Sequence, residues 1–289
     1  MTPQRGYRAV FLGPMTALLA IVTLTPFLYG LYLSLTDTTP TAGTSDFVGM
    51  ANFVALVGDP AFWRALRLTV LFTFFAVSIE VVVGLALAMT LATLRRAQHL
   101  LRALLLLPLA GTPVAVFYSW RIMLNPSYGV VDHLLGLAGI APVPWLGHPT
   151  TAVVSLLVVD VWQWTPFVMV ILYGGVVAIP AEVREAAEVD GARGLSMFRH
   201  VTLPMLLPYL GLALLFRTID ALKTFDSIAV LTSGGPGDAT VTLNLLSYRQ
   251  AITNLQFGKG AASAILLLVL AMVVGRVLVG SLYRVRDAR

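Results

Sequence analysis

Arg217, Asp220, Lys223 and Asp226 interrupt an otherwise apolar stretch at intervals of three residues. Their signs alternate, and side chains three apart on a helix are neighbours. Two further acids, Glu80 and Asp160, stand alone in apolar runs. A charge at the centre of a bilayer costs on the order of 2.5–3.5 kcal/mol even on lenient scales, so it ordinarily faces a cavity or a partner. The stripe reads either as a self-neutralising structural ladder or as the lining of a path for a polar solute. Lys223 and Asp226 also lie within reach of the outer interface, and Glu80 reads chiefly as a structural group packed against other spans. Beside Asp160, the run Trp162-Gln163-Trp164 followed by Pro166-Phe167 sets flat apolar rings next to an amide. That combination suits a sugar, and it suits core packing or an interfacial aromatic belt equally. Arg217, Asp220 and Asp160 suit bidentate contacts to hydroxyls, and just as well an ionic substrate such as glycerol phosphate.

Covalent chemistry fits the composition poorly. With zero cysteines there is no disulfide, thiolate nucleophile or cysteine metal site. His99, His133, His148 and His200 fall on opposite sides of the membrane in the topology below, so no catalytic residue and no metal ligand is assigned. Gly258-Lys259-Gly260 lacks the upstream glycine of a phosphate-binding loop, so nucleotide hydrolysis belongs elsewhere.

The elements that must position these groups are membrane helices. Of the 289 residues, 58% are hydrophobic and 11% charged, whereas a soluble domain carries about 25% charged residues. The expected fold class is therefore an all-α polytopic membrane protein. A span needs about 20 apolar residues, and six segments qualify: 9–33, 66–94, 103–124 (containing Pro108 and Pro113), 151–177, 205–231 and 261–283. The net charge of +5 does not imply nucleic acid, because the arginines sit in short clusters between apolar runs. Arg5 and Arg8; Arg95, Arg96 and Arg102; Arg184, Arg193 and Arg199; and Arg284, Arg286 and Arg289 fall on one side. By the positive-inside rule both termini are cytoplasmic. The first apolar run is too long for a signal-peptide core and is expected to be a retained helix.

The cytoplasmic segment 180–204 is the longest charged stretch and reads as structured. Pro180 sits where a first-turn proline would, Glu182 and Glu185 suit a helix N-terminus, and Gly191 suits its end. A second helix-like run, Ser196 to His200, precedes Pro204. Two short amphipathic helices at the membrane surface are expected.

That segment reads Glu185-Ala186-Ala187-Glu188-Val189-Asp190-Gly191, nine residues, then Val201-Thr202-Leu203-Pro204. It closely resembles the EAA loop of ABC importer permeases, with Val in place of the usual Ile. Leu107-Pro108 to Trp120, Asn125 to Gly129, Trp162 to Phe167 and Phe225 to Pro236 resemble carbohydrate importer permeases, the last being typical of the maltose-permease-F-like or trehalose-importer-permease-A-like member of a permease pair. The large inserted domain and extra N-terminal helices of the maltose protein are missing. The resemblance implies a single permease domain over 1–289 with the type I ABC importer fold, containing the coupling loop 180–204. It implies a bacterial plasma-membrane location and partners: a second permease in a heterodimer, two ABC ATPase subunits, an extracytoplasmic substrate-binding protein or lipoprotein, and membrane lipid. ATP and Mg would reside in the ATPase subunits, with no cofactor on this chain. Glu185 would bond to the ATPase, Ala186 and Ala187 allow close approach, Gly191 turns the chain, and Asp190, Leu203 and Pro204 complete the motif. Matching to the maltose relative places sugar contacts at Leu109, Pro113, Asp160, Gln163, Trp164, Phe167, Arg217, Ala221 and Thr224, with Asp220 beside them. The implied cargo is a disaccharide such as trehalose or a maltose-type sugar, or a polyol. Glycerol 3-phosphate or another polar solute is the alternative. A stand-alone secondary transporter is a remoter one, since no internal repeat is evident.

Overall fold

The computed structural model describes residues 3–40, 45–94 and 98–287. Arg95, Arg96 and Arg289, used above for orientation, lie outside the described residues, as do the side chains of Arg5, Arg8, Arg284 and Arg286. Among the described residues, five helices are long and apolar enough to cross a membrane, or six if one bent pair counts as a span. The chain divides into two compact units, Met1–Trp63 with Leu246–Leu268, and Arg64–Leu245 with Val269–Arg289.

The first unit opens with α1 (Pro3–Ser34), which carries Leu18, Ile21, Val22 and Leu28 exposed. A helix apolar on all sides suits lipid rather than water. The segment after it forms an antiparallel ribbon of β1 (Thr36–Thr38) and β2 (Ser45–Phe47). Asn52 in α2 (Ala51–Gly58) fastens the ribbon by donating to the carbonyls of Ser34 and Thr36 at 3.0 and 2.9 Å. Asp59 accepts the N–H of Ala61 at 2.8 Å and Pro60 follows it. An acidic cap before a first-turn proline is a helix-start signal, and here α3 (Pro60–Thr93) begins.

In the second unit the segment 103–124, expected as one span, is broken. α4 (Gln98–Ala110) and α5 (Pro113–Met123) meet at 94°. Pro113 has no N–H to offer the Leu109 carbonyl, and the residue before a proline is pushed out of the helical region. Thr112 accordingly sits at φ −63°, ψ 135°, and Pro113 starts the new helix. α6 (Val130–Leu137) comes next, and α7 (Pro149–Val177) is the fourth span. α8 (Ala181–Val189) and α9 (Leu195–Met197) follow.

The fifth span also departs from expectation at both ends. α9 runs through a π turn at Phe198–Thr202 directly into α10 (Leu203–Leu222), so the second surface helix is the foot of the span. At its top α10 stops at Leu222, and α11 (Asp226–Leu231) is separate. The carbonyls freed at this break are taken by side chains: Asn244 donates to Lys223 at 2.6 Å, and Thr242 to Thr224 at 3.5 Å. α12 (Leu243–Tyr248) and α13 (Phe257–Asp287) complete the chain.

The core of the second unit packs α3, α7 and α10 through Ala88, Leu91, Val168, Met169, Leu172 and Ala213. Lipid is as apolar as leucine, so helices in a membrane associate by close packing rather than by burial from water. Gly175 shows it: a Cβ there would stand 2.6 Å from the Tyr209 ring and 2.7 Å from Leu206.

Candidate functional site

Two places carry the sequence-predicted residues. The first is the loop 180–204. Pro180 lies just before α8 rather than within its first turn, at φ −57° and ψ 142°. The helix places Glu182 in its first turn, where a negative charge suits the helix dipole. It ends in a Schellman turn: Gly191 N–H donates to the Glu188 carbonyl at 3.1 Å, and Ala192 N–H to Ala187 at 2.8 Å. Gly191 has φ +84°, which costs an L-residue about 1–2 kcal/mol. Glu185, Ala186 and Asp190 are exposed and Ala187 is half-buried. Val189 is 88% exposed and Leu195 78%. Glu185 and Glu188 overhang a groove of about 480 Å³ floored by Met89, Val176 and Ile179 at the ends of α3 and α7. Leu203 and Pro204 open α10, so the loop and the fifth span are one continuous helix from Leu195 to Leu222.

The second place lies about 33 Å up that rod, taking 1.5 Å per residue from Leu195 to Arg217. Arg217 is 1% exposed. Its Nε donates to Glu80 Oε2 at 2.7 Å and its Nη2 to Glu80 Oε1 at 2.9 Å, a two-pronged clamp. Nη2 also donates to Asp160, and Nη1 to Asp220 at 3.3 Å. Glu80 and Asp160 are buried; only the Asp220 carboxylate reaches out of the cluster. One guanidinium thus ties α3, α7 and α10 together. Removing one partner of such a buried set costs about 3–5 kcal/mol, because an uncompensated charge remains.

The Trp164 ring lies with its centroid 5.3 Å from the Arg217 guanidinium carbon, and Phe167 meets its edge. Trp162 points to the surface and stacks edge-on with Trp120. Gln163 spans to the helix break, donating to the Pro108 carbonyl at 2.8 Å, while its own Oε1 is buried without a partner. A cleft of about 120 Å³ opens between α5, α7 and the top of α10. Of the predicted residues it brings together Pro113, Asp160, Trp164, Asp220 and Thr224. Arg217 and Ala221 are buried behind it, and Leu109, Gln163 and Phe167 do not line it. Phe117 and Ser227 do as well; both fall in segments noted above for their resemblance, but neither is among the contacts that resemblance implies, and the Ser227 hydroxyl is buried without a partner. Lys223 and Asp226, read above as reaching the outer interface, also line the cleft. Among the described residues no cluster of His, Asp and Glu is arranged to hold a metal ion.

Residues 47–289 match the family described as binding-protein-dependent transport system inner membrane component. The chain is 36% identical over 277 residues to the trehalose/maltose transport system permease protein MalF of Thermococcus litoralis, covering 94% of each chain. It is 32% identical over 269 residues to the trehalose transport system permease protein SugA of Mycobacterium tuberculosis, covering 91% of this chain and 84% of that one. Its fold matches that of a bacterial ABC transporter involved in import of the acidic polysaccharide alginate, with TM-score 0.85 and 21% identity over 97% of this chain and 98% of the other. The chain is a multi-pass membrane protein with the type I importer permease fold, and it belongs to the binding-protein-dependent transport system inner membrane component family.

Proposed function

We propose that this chain is the permease subunit of an ATP-driven importer that carries a sugar, a disaccharide of the trehalose or maltose type or a polyol, into the cytoplasm by alternating access. The chain is a transport subunit and not an enzyme. Two ABC ATPase subunits holding ATP and Mg would dock on α8, an extracytoplasmic binding protein would deliver solute, and a second permease would complete the path. Both termini would be cytoplasmic. The cargo class is supported by the names of two relatives, a trehalose/maltose permease and a trehalose permease; others are named for sulfoquinovosyl glycerol and sn-glycerol-3-phosphate.

One observation carries the mechanism: the surface helix α8, its left-handed turn at Gly191 and the rod bearing Arg217 are consecutive. A push on α8 passes through a short turn into the helix that holds the buried charges. The ATP-bound ATPases supply the differential affinity that shifts the spans between inward- and outward-open states. The cleft beside Trp164 has room for about four waters at ~30 Å³ each. It is one wall of a solute path, the facing permease providing the other.

The test is reconstitution of the complex in liposomes. Wild type should show ATP-dependent uptake that requires the ATPase. Glu185→Arg, on the exposed face of α8, should insert normally, lose the ATPase on purification and lose uptake. Full ATP-driven uptake by that variant, or uptake by this chain alone, overturns the proposal.

A further inference from the structure

The cluster around Arg217 bears on which solutes the cleft accepts. An arginine beside a solute path invites the reading that it binds an anion, since guanidinium forks match phosphate and sulfonate. The geometry opposes that use. The Arg217 Nε and Nη2 are both given to Glu80, Nη2 is shared with Asp160, and Nη1 leans on Asp220. The side chain has no exposed surface, and the Trp164 ring lies against it. What the cleft itself presents is acidic. Asp160, Asp220 and Asp226 line it against the single ammonium of Lys223. Among the described residues, the buried group at its wall that lacks a partner is a hydroxyl, Ser227.

We infer that the cleft selects against anions and takes uncharged polyhydroxyl solutes, and that Glu80 is the positioning residue that sets this choice by clamping Arg217 away from the path. The inference rests on the proposal that the cleft lies on the solute pathway. Carboxylates accept hydrogen bonds from solute hydroxyls, the Trp164 and Phe117 rings offer apolar faces to a pyranose ring, and Ser227 adds one more polar contact. A phosphate or sulfonate would meet net negative charge at close range in a partly dehydrated site. Glu80 is sited in α3 and does not line the cleft, so it acts on a solute through the two groups it touches, Arg217 and Asp160.

The experiment measures equilibrium binding to the assembled importer in lipid nanodiscs, without nucleotide or binding protein. The probes are trehalose and trehalose 6-phosphate, one disaccharide with and without an anionic group. Wild type should prefer trehalose by at least about tenfold, the scale of one unfavourable charge contact in a partly screened site. Glu80→Gln keeps the side-chain volume and should bring that ratio towards one by freeing part of the guanidinium, whereas Glu80→Asp should retain the preference. Asp220→Asn, at the exposed rim, should narrow the ratio even where Glu80→Gln fails to assemble. Phenylglyoxal labelling read peptide by peptide should leave Arg217 unmodified in wild type and modify it in Glu80→Gln, with inorganic phosphate protecting it there. Equal or tighter binding of the phosphate ester by wild type overturns the inference while leaving the pathway intact. So does a ratio that both Glu80→Gln and Asp220→Asn leave unchanged. Trehalose binding that is indifferent to Trp164→Ala takes the cleft off the pathway, and the parent proposal falls with it.

Discussion

Replacing Gly191 separates the backbone requirement of the turn proposed to couple α8 to the spans from any requirement for space. A Cβ at Gly191 would meet no atom within 4 Å. The whole local cost of Gly191→Ala is therefore the left-handed conformation at φ +84°, about 1–2 kcal/mol for an L-residue. At 25 °C that corresponds to roughly a 5–30-fold shift in the population of the native turn. Gly191→Asn should cost less, since asparagine is the other residue commonly found at this helix-end position. Gly191→Pro should cost most. Its ring holds φ near −65°, roughly 150° from the native value, and it removes the N–H donated to Glu188. The assay is ATP-driven solute uptake in proteoliposomes, normalised to inserted permease, with ATPase retention measured on the same preparation. Coupled uptake should fall in the order Gly, Asn, Ala, Pro, with insertion unchanged throughout. Alanine and asparagine variants of equal defect would show that something other than the φ angle matters. A proline variant with normal uptake would remove the turn from the mechanism altogether.

Arg217→Leu should destabilise the permease by about 3–5 kcal/mol by leaving two buried carboxylates without their cation; a lower unfolding temperature in detergent and less inserted protein would register it. Gly175→Val should cost about 1–3 kcal/mol through overpacking, because its Cβ would press on Tyr209 and Leu206. The Gly175→Val defect should ease when Tyr209 is reduced to alanine, and thermal unfolding of the double variant checks this.

The sequence disclosed the spans and the loop because both are local signals. Apolar runs of membrane length announce α1, α3, α7 and α13 without reference to anything distant. The helix end at Gly191 is visible for the same reason, since a glycine after an amphipathic turn is a nearest-neighbour pattern. The break before Pro113 was half legible: the proline was visible, but bilayer helices tolerate prolines whose freed carbonyls find cover. Here the carbonyl of Pro108 is covered by Gln163, a residue 55 positions away. The stop after Leu222 carries no glycine or proline at all; Asn244 and Thr242, from a later segment, take up its carbonyls. The three-residue spacing did indicate that Arg217 and Asp220 adjoin. It could not indicate that the guanidinium turns mainly to Glu80, which only the packing of α3 against α10 decides.

The clamp between Glu80 and Arg217 has a consequence for synthesis. The two residues are 137 positions apart, and at about 5–20 residues per second the arginine leaves the ribosome roughly 7–27 s after the glutamate. For that interval α3, and then α7 with Asp160, must reside in or beside the membrane carrying an acid whose cation has not yet been made. The nascent chain therefore has a built-in order of assembly: the first spans can be placed early, but the bundle closes only when the tenth helix arrives.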